Sequence, residues 1–162
     1  MPLPDDARLW VFTAAAPLDD ATRSALIERV GAFLTQWDSH GRPVPGEAEV
    51  LHDHFLTVTA HLAGGVSGCG IDKLVHAVEA AGAQLGIEWV DGLHLAYRDA
   101  DGTVQVVPRP TFRSLVRDGL VTADTPVFVT TLDTLGDLRA GGLERPAGEA
   151  WHSRVFRIPA SV

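Results

Sequence analysis

The longest β-prone run in the chain, Glu49 to Leu62, passes directly into Gly64-Gly65-Val66-Ser67-Gly68-Cys69-Gly70-Ile71-Asp72-Lys73. Nothing else constrains the fold as strongly, because an extended segment, a flexible turn and a helix start are fixed in sequence order. In the run, His54, Leu56, Val58, Ala60 and Leu62 alternate onto one face, with Phe55, Thr57, Thr59 and His61 on the other. After the turn, Ile71, Leu74, Val75, Val78 and Leu85 recur at helical spacing, which predicts a helix over about 70 to 85 closed by Gly86. The turn holds the only cysteine of the chain and the only lysine among its 13 Lys and Arg residues.

The flanking elements follow from the same periodicities. Leu9 to Thr13 predicts a strand over about 8 to 14. Asp19 or Asp20 can cap a helix over about 20 to 38, built on Leu26, Val30, Phe33, Leu34 and Trp37 and closed by Gly41 and Pro43. Asp99-Ala100-Asp101-Gly102 joins two β-prone arms, Leu93 to Tyr97 and Thr103 to Val107, into a hairpin. Thr111 can cap a short helix, Val127 to Thr130 predicts a last strand, and one further helical turn follows Asp133. The segment 140–162 reads as a Gly/Pro-rich tail packed back on the body, with Trp151 as its anchor. The resulting order is β-α-β-α-β-β-α-β. It predicts one α+β domain over residues 1–162, a mixed sheet of about five strands with about three helices largely on one face. The crossover helices predict at least one parallel strand pair, and the hairpin predicts an antiparallel one.

Composition narrows the functional classes. A net charge of -8 repels phosphate backbones, which argues against general nucleic-acid binding but leaves room for a small anion in a local pocket. No apolar run is long enough to span a bilayer, and the N-terminus lacks the pattern of a secretory signal. One cysteine permits no internal disulfide. A cytoplasmic protein without membrane contact is expected, and a sheet exposed on one face would offer a homodimer surface.

Cys69 is the leading candidate for chemistry. At a helix N-terminus a thiol meets unpaired backbone N-H groups and the positive end of the helix dipole, both favouring thiolate, and Lys73 one turn later adds positive charge. Gly68 and Gly70 leave the backbone open to close approach by a substrate or anion. Ser67 and Asp72 flank this centre, and Asp72 suits the first helical turn. The same features describe a plain strand-to-helix turn with a buried cysteine and a solvated lysine. His152, beside Trp151, and His54 are the candidates to move protons for Cys69.

Two familiar motifs are absent. Asp72 and Leu74 flank Lys73, so the loop is not a Walker A phosphate loop, and no arginine stands five residues beyond Cys69 as in a tyrosine phosphatase. His52-Asp53-His54 places two imidazoles on one strand face at a spacing that can chelate zinc, with Cys69 or His152 as a third ligand. No second cysteine and no His-Glu-x-x-His pattern supports it, and neither a metal nor another cofactor is assigned.

Trp10-x-Phe12, Trp37-x-x-His40-Gly41, Ser67-Gly68-Cys69-Gly70-Ile71-Asp72, Val127-Phe128 and Trp151-His152 together resemble a family of small bacterial proteins with a central Ser-Gly-Cys-Ser/Gly-Ile-Asp motif. Its members often carry the label "ABC transporter ATPase". The resemblance implies that Ser67, Gly68, Cys69, Ile71 and Asp72 form the family's central element and Trp151-His152 its C-terminal one. It does not imply ATPase activity, since the chain has no Walker A or transporter signature and is too short for such a domain. Two functions remain open: a small-molecule or thiol-chemistry site at the loop, with Cys69, His152 and Lys73 as catalytic residues and Ser67, Gly68, Gly70, Asp72, His54 and Trp151 as binding residues; or a noncatalytic binding or assembly module in which the loop is structural.

Overall fold

Leu9, alternating with Trp10 and Phe12 along an extended run, begins the first sheet of the molecule. The structure is a computed structural model that describes residues 2–160. It is α+β, with five helices and sheets of three, two and four strands, so the expected single five-stranded sheet is divided. Every strand pair among the described residues is antiparallel, and the expected parallel pair is not formed. The chain separates into two compact units. One comprises the chain through Trp89 with Leu132–Ala140, and the other comprises Val90–Thr131 with the chain from Gly141 onward. No helix among the described residues is long and apolar enough to cross a membrane.

In the first unit, β1 (Arg8–Thr13), β5 (Phe55–Ala60) and β4 (Gly46–Leu51) form a sheet in the order β1-β5-β4. The predicted strand over 49–62 is a hairpin instead. His52 and Asp53, both at positive φ (52° and 56°), turn the chain so that Leu51 pairs with Phe55. A polar His-Asp-His triplet between Leu51 and Phe55 suits a left-handed turn better than a continuous pleat. His52 and His54 are therefore turn residues rather than neighbours on a strand face. No group of three His, Cys, Asp or Glu placed to hold a metal occurs among the described residues.

Helix α1 (Asp20–Leu34) starts where expected, with the Asp19 carboxylate accepting from Thr22 N at 2.7 Å. It stops short of 38 because the chain turns into a small hairpin, β2 (Asp38–Ser39) and β3 (Arg42–Pro43). His40 and Gly41 form that turn at φ 51° and 76°, so Gly41 closes a hairpin and not the helix. Helix α2 (Gly68–Leu85) ends at Gly86 in the left-handed region, as the sequence predicts. Leu26, Val30, Leu34, Trp37, Leu56, Val58, Leu74 and Val78 form the buried core between these helices and one face of the sheet. At the other edge, β1 is covered by Leu132–Ala140: Leu9 N donates to Asp133 O and Leu135 N to Ala7 O, both at 2.9 Å. Helix α4 (Leu135–Arg139) lies in that segment.

The second unit carries the predicted hairpin, β6 (His94–Arg98) with β7 (Val104–Pro108), extended by β8 (Pro126–Phe128) and β9 (Glu144–Pro146) in the order β7-β6-β8-β9. Helix α3 (Arg109–Arg117) begins two residues before the expected Thr111 cap, with Pro108 at the cap position and Pro110 in its first turn, where a missing N-H costs nothing. The Gly/Pro-rich segment is structural: β9 pairs with β8, and Ala147, His152, Phe156 and Ile158 are buried with Leu95, Tyr97, Phe112, Val121 and Val127. Helix α5 (His152–Val155) is one turn within it.

Candidate functional site

The turn before α2 is held by hydroxyls. Ser67 sits at the N-cap in extended conformation (φ -67°, ψ 161°), and its Oγ accepts from Gly70 N at 3.1 Å, occupying one of the orphan donors of the first turn. Ser39 of β2 closes a reciprocal pair: its Oγ accepts from Ser67 N at 2.9 Å and donates to Ser67 Oγ at 2.8 Å. The indole N-H of Trp37 donates to Gly70 O at 2.9 Å, and Trp37 is itself buried edge-on against Trp10. A Cβ at Gly70 would come within 2.9 Å of Val66 Cγ1 and 3.4 Å of Ser39 Cβ. A side chain at 70 would make the Val66 methyl move aside, whereas a Cβ at Gly68 would meet nothing within 4 Å.

Cys69 is exposed at the second residue of α2. Lys73, one turn on, is committed elsewhere: its ammonium lies 2.8 Å from Asp38 Oδ1. Asp38 also accepts from Gly41 N at 3.1 Å, and these contacts, led by the hydrogen bond from Lys73, hold its carboxyl below the ordinary carboxylate range. The positive charge that the sequence offers to Cys69 is thus balanced by a carboxylate. Asp72 is exposed in the first turns of α2.

Between the β2–β3 turn and the glycine turn lies a groove of about 320 Å³, lined by Ser39, His40, Arg42, Gly64, Gly65 and Ser67 among others. Gly64 and Gly65 both have φ near +85° (84° and 85°), a conformation that L side chains rarely adopt. Arg42 donates to Ala63 O at 3.1 Å, which ties β3 to the strand-to-turn junction. His40 belongs to the Trp37-x-x-His40-Gly41 motif of the sequence, whereas Arg42 has no place among the site residues that the sequence offers. The signal for them was the His40-Gly41 turn, a hairpin signature that returns the chain beside the glycines.

The remaining candidates belong to other elements. His54 is buried in the β4–β5 turn of the first unit, its Nδ1 3.2 Å from His52 O and its ring beside Phe55. Trp151 and His152 belong to the second unit. His152 is fully buried, stacked on Trp151 with ring centroids 4.1 Å apart and 5.8 Å from Phe112. Neither of its ring nitrogens has a hydrogen-bond partner among the described residues, and the Trp151 indole N-H is equally unpaired. Burial alone pushes the His152 pKa down from 6.5 to about 4, so the ring is neutral at physiological pH. Around α2 the structure therefore brings together Ser67, Gly68, Cys69, Gly70, Asp72 and Lys73, with Ser39, Trp37 and Asp38 added.

Comparison of the chain with protein-family models, with curated proteins and with solved structures finds no match.

Proposed function

We propose that the first unit is a noncatalytic binding domain for a small anionic molecule, held in the groove between the β2–β3 turn and Gly64–Ser67. The observation that carries this is the pairing of the Arg42 guanidinium and the His40 imidazole with a doubly left-handed glycine turn, a lining that suits carboxylate or phosphate oxygens. The resemblance of Ser67 to Asp72 to a bacterial family motif and a cytoplasmic setting belong to the same proposal. Calorimetric titration of the full chain with inorganic phosphate and with citrate tests it. Saturable binding of either, weakened at least tenfold by Arg42→Glu and unchanged by Cys69→Ser, is the expected result. Heat of binding that is absent, or indifferent to Arg42, would remove the reading.

Thiol chemistry is the second reading, favoured by one observation: Cys69 is exposed at the second residue of α2, where free backbone N-H groups cluster. It requires iodoacetamide to alkylate Cys69 in the folded protein faster than free cysteine at the same neutral pH. A slower rate speaks for a structural thiol. With Lys73 tied to Asp38, the expected rate enhancement is the smaller for it.

A further inference from the structure

Strand β4 is an edge of the first sheet, and among the described residues nothing pairs with its outer side. His61 N donates to Pro45 O at 3.2 Å, which fixes Pro45 as a residue whose backbone faces β5. In an antiparallel ladder the facing alternates, so Glu47 and Glu49 also bond inward while the N-H and C=O groups of Gly46, Ala48 and Val50 point away from the sheet. The β1–β5 side agrees, because Ala14 N donates to His54 O at 2.8 Å and so leaves the odd residues of β5 for β4. The edge of β1 is covered by Asp133 and Leu135, but among the described residues β4 has no strand beyond it.

This edge runs along a trough. One cavity of about 710 Å³ wraps round this edge, bounded by Ile27 and Leu34 of α1 on one face and by Thr57, Thr59 and Leu138 on the other, and a second of about 470 Å³ continues it on the α1 side. The two share Ile27, Ala48 and Glu49. On the α1 side the strand presents Gly46, Ala48 and Val50: a Cβ on Gly46 would already stand 3.2 Å from Leu34 Cδ2. On the opposite side it presents Glu47 and Glu49, exposed beside Thr59 and Thr57. Glu28, Glu47 and Glu49 have no ion-pair partner among the described residues, while the one cation in the trough, Arg23, is held by Asp20 and Asp53.

Charge then selects the occupant. In a second copy paired antiparallel about Ala48, Glu47 of one chain would stand opposite Glu49 of the other, and a slip of two residues either way sets Glu47 against Glu47 or Glu49 against Glu49. Like charges directly opposite across strands oppose pairing. A strand with cations at those positions meets no such barrier. We infer that β4 is a docking edge for an extended segment of another protein in which basic residues alternate with apolar ones, adding a fourth strand to the sheet. Its backbone bonds Gly46, Ala48 and Val50, its Lys or Arg side chains lie against Glu47 and Glu49, and its alternate apolar side chains enter the trough beside Ile27.

The test uses the full chain and two blocked hexapeptides, acetyl-Lys-Val-Lys-Val-Lys-Val-amide and acetyl-Glu-Val-Glu-Val-Glu-Val-amide, followed by NMR of the backbone amides. The expected result is saturable binding of the lysine peptide with the largest shifts at Gly46, Ala48 and Val50, and at least tenfold weaker binding of the glutamate peptide. In Glu47→Lys/Glu49→Lys the order of preference reverses; this exposed pair leaves the core intact. Ala48→Pro removes one outward donor and is expected to abolish binding; if it does not fold, the charge reversal alone decides. The inference is overturned by an absence of saturable binding, by shifts centred elsewhere, by an unreversed preference in the double variant, or by a dimer whose amide protection maps to β4.

Discussion

The first turn of α2 and the ring cluster around His152 both place polar atoms against apolar packing, and they treat those atoms in opposite ways. At α2, Ser39, Ser67, Trp37 and Gly70 answer one another's donors and acceptors within 2.8 to 3.1 Å. In the second unit, two imidazole nitrogens and an indole N-H are buried with no protein partner among the described residues. A buried polar atom without a partner carries its desolvation cost in full, whereas a satisfied network fixes one geometry. The first region is thus built to position backbone at a surface, and the second stores a penalty that a change of protonation can enlarge.

That contrast can be broken most forcefully with acid. With a folded-state pKa of about 4 against 6.5 when unfolded, His152 binds its proton more readily in the unfolded chain. Its contribution is fully present above pH 6.5 and is lost as the pH falls through 4, a change of about 3 kcal/mol over that window. Urea unfolding at pH 7 and pH 4 should show the loss. His152→Phe, which keeps a ring and removes both unpaired nitrogens, should flatten the dependence; an unchanged slope would place the acid sensitivity elsewhere.

A smaller effect is expected at the satisfied site. Ser67→Ala removes the N-cap and should cost about 1 kcal/mol by urea unfolding at pH 7. Ser39→Ala in the same background should cost less than it does alone, since the two hydroxyls share one network. Strict additivity of the two would show the network to be only geometrical. Least of all should come from Lys73→Ala: both partners of its ion pair are largely open to water, so the melting temperature should move less than for Ser67→Ala.

Local signals carried much of this fold. Gly86, the Asp99 to Gly102 turn and the Asp19 cap each favour a backbone conformation on their own, and the helix ends and the hairpin that they mark lie where the sequence puts them, whereas α1 ends four residues early. The β4–β5 turn is hidden in the sequence because Leu51 and Phe55 continue the apolar pattern across it, and a His-Asp-His triplet is a weaker turn signal than Asn-Gly. The two units were not visible because each core is assembled from segments far apart in sequence: Leu135 covers β1, while Phe156 packs on Phe112. At the site, Ser67 as cap and glycine at 70 could be read from residue type. The engagement of Lys73 by Asp38, and the approach of Arg42 and His40 to the glycine turn, depend on a two-residue hairpin whose placement beside α2 is a tertiary outcome.

The cover on β1 also bears on how the protein is made. A nascent chain that has left the ribosome only as far as Trp89 already holds β1, β4 and β5, yet the strap that bonds Ala7 and Leu9 is not synthesised until after Thr131. During that interval the young sheet has two open borders instead of one. Translation speed through the intervening residues therefore sets how long β1 stays available to a chaperone or to a neighbouring nascent chain, a vulnerability that vanishes once Leu135 emerges and docks.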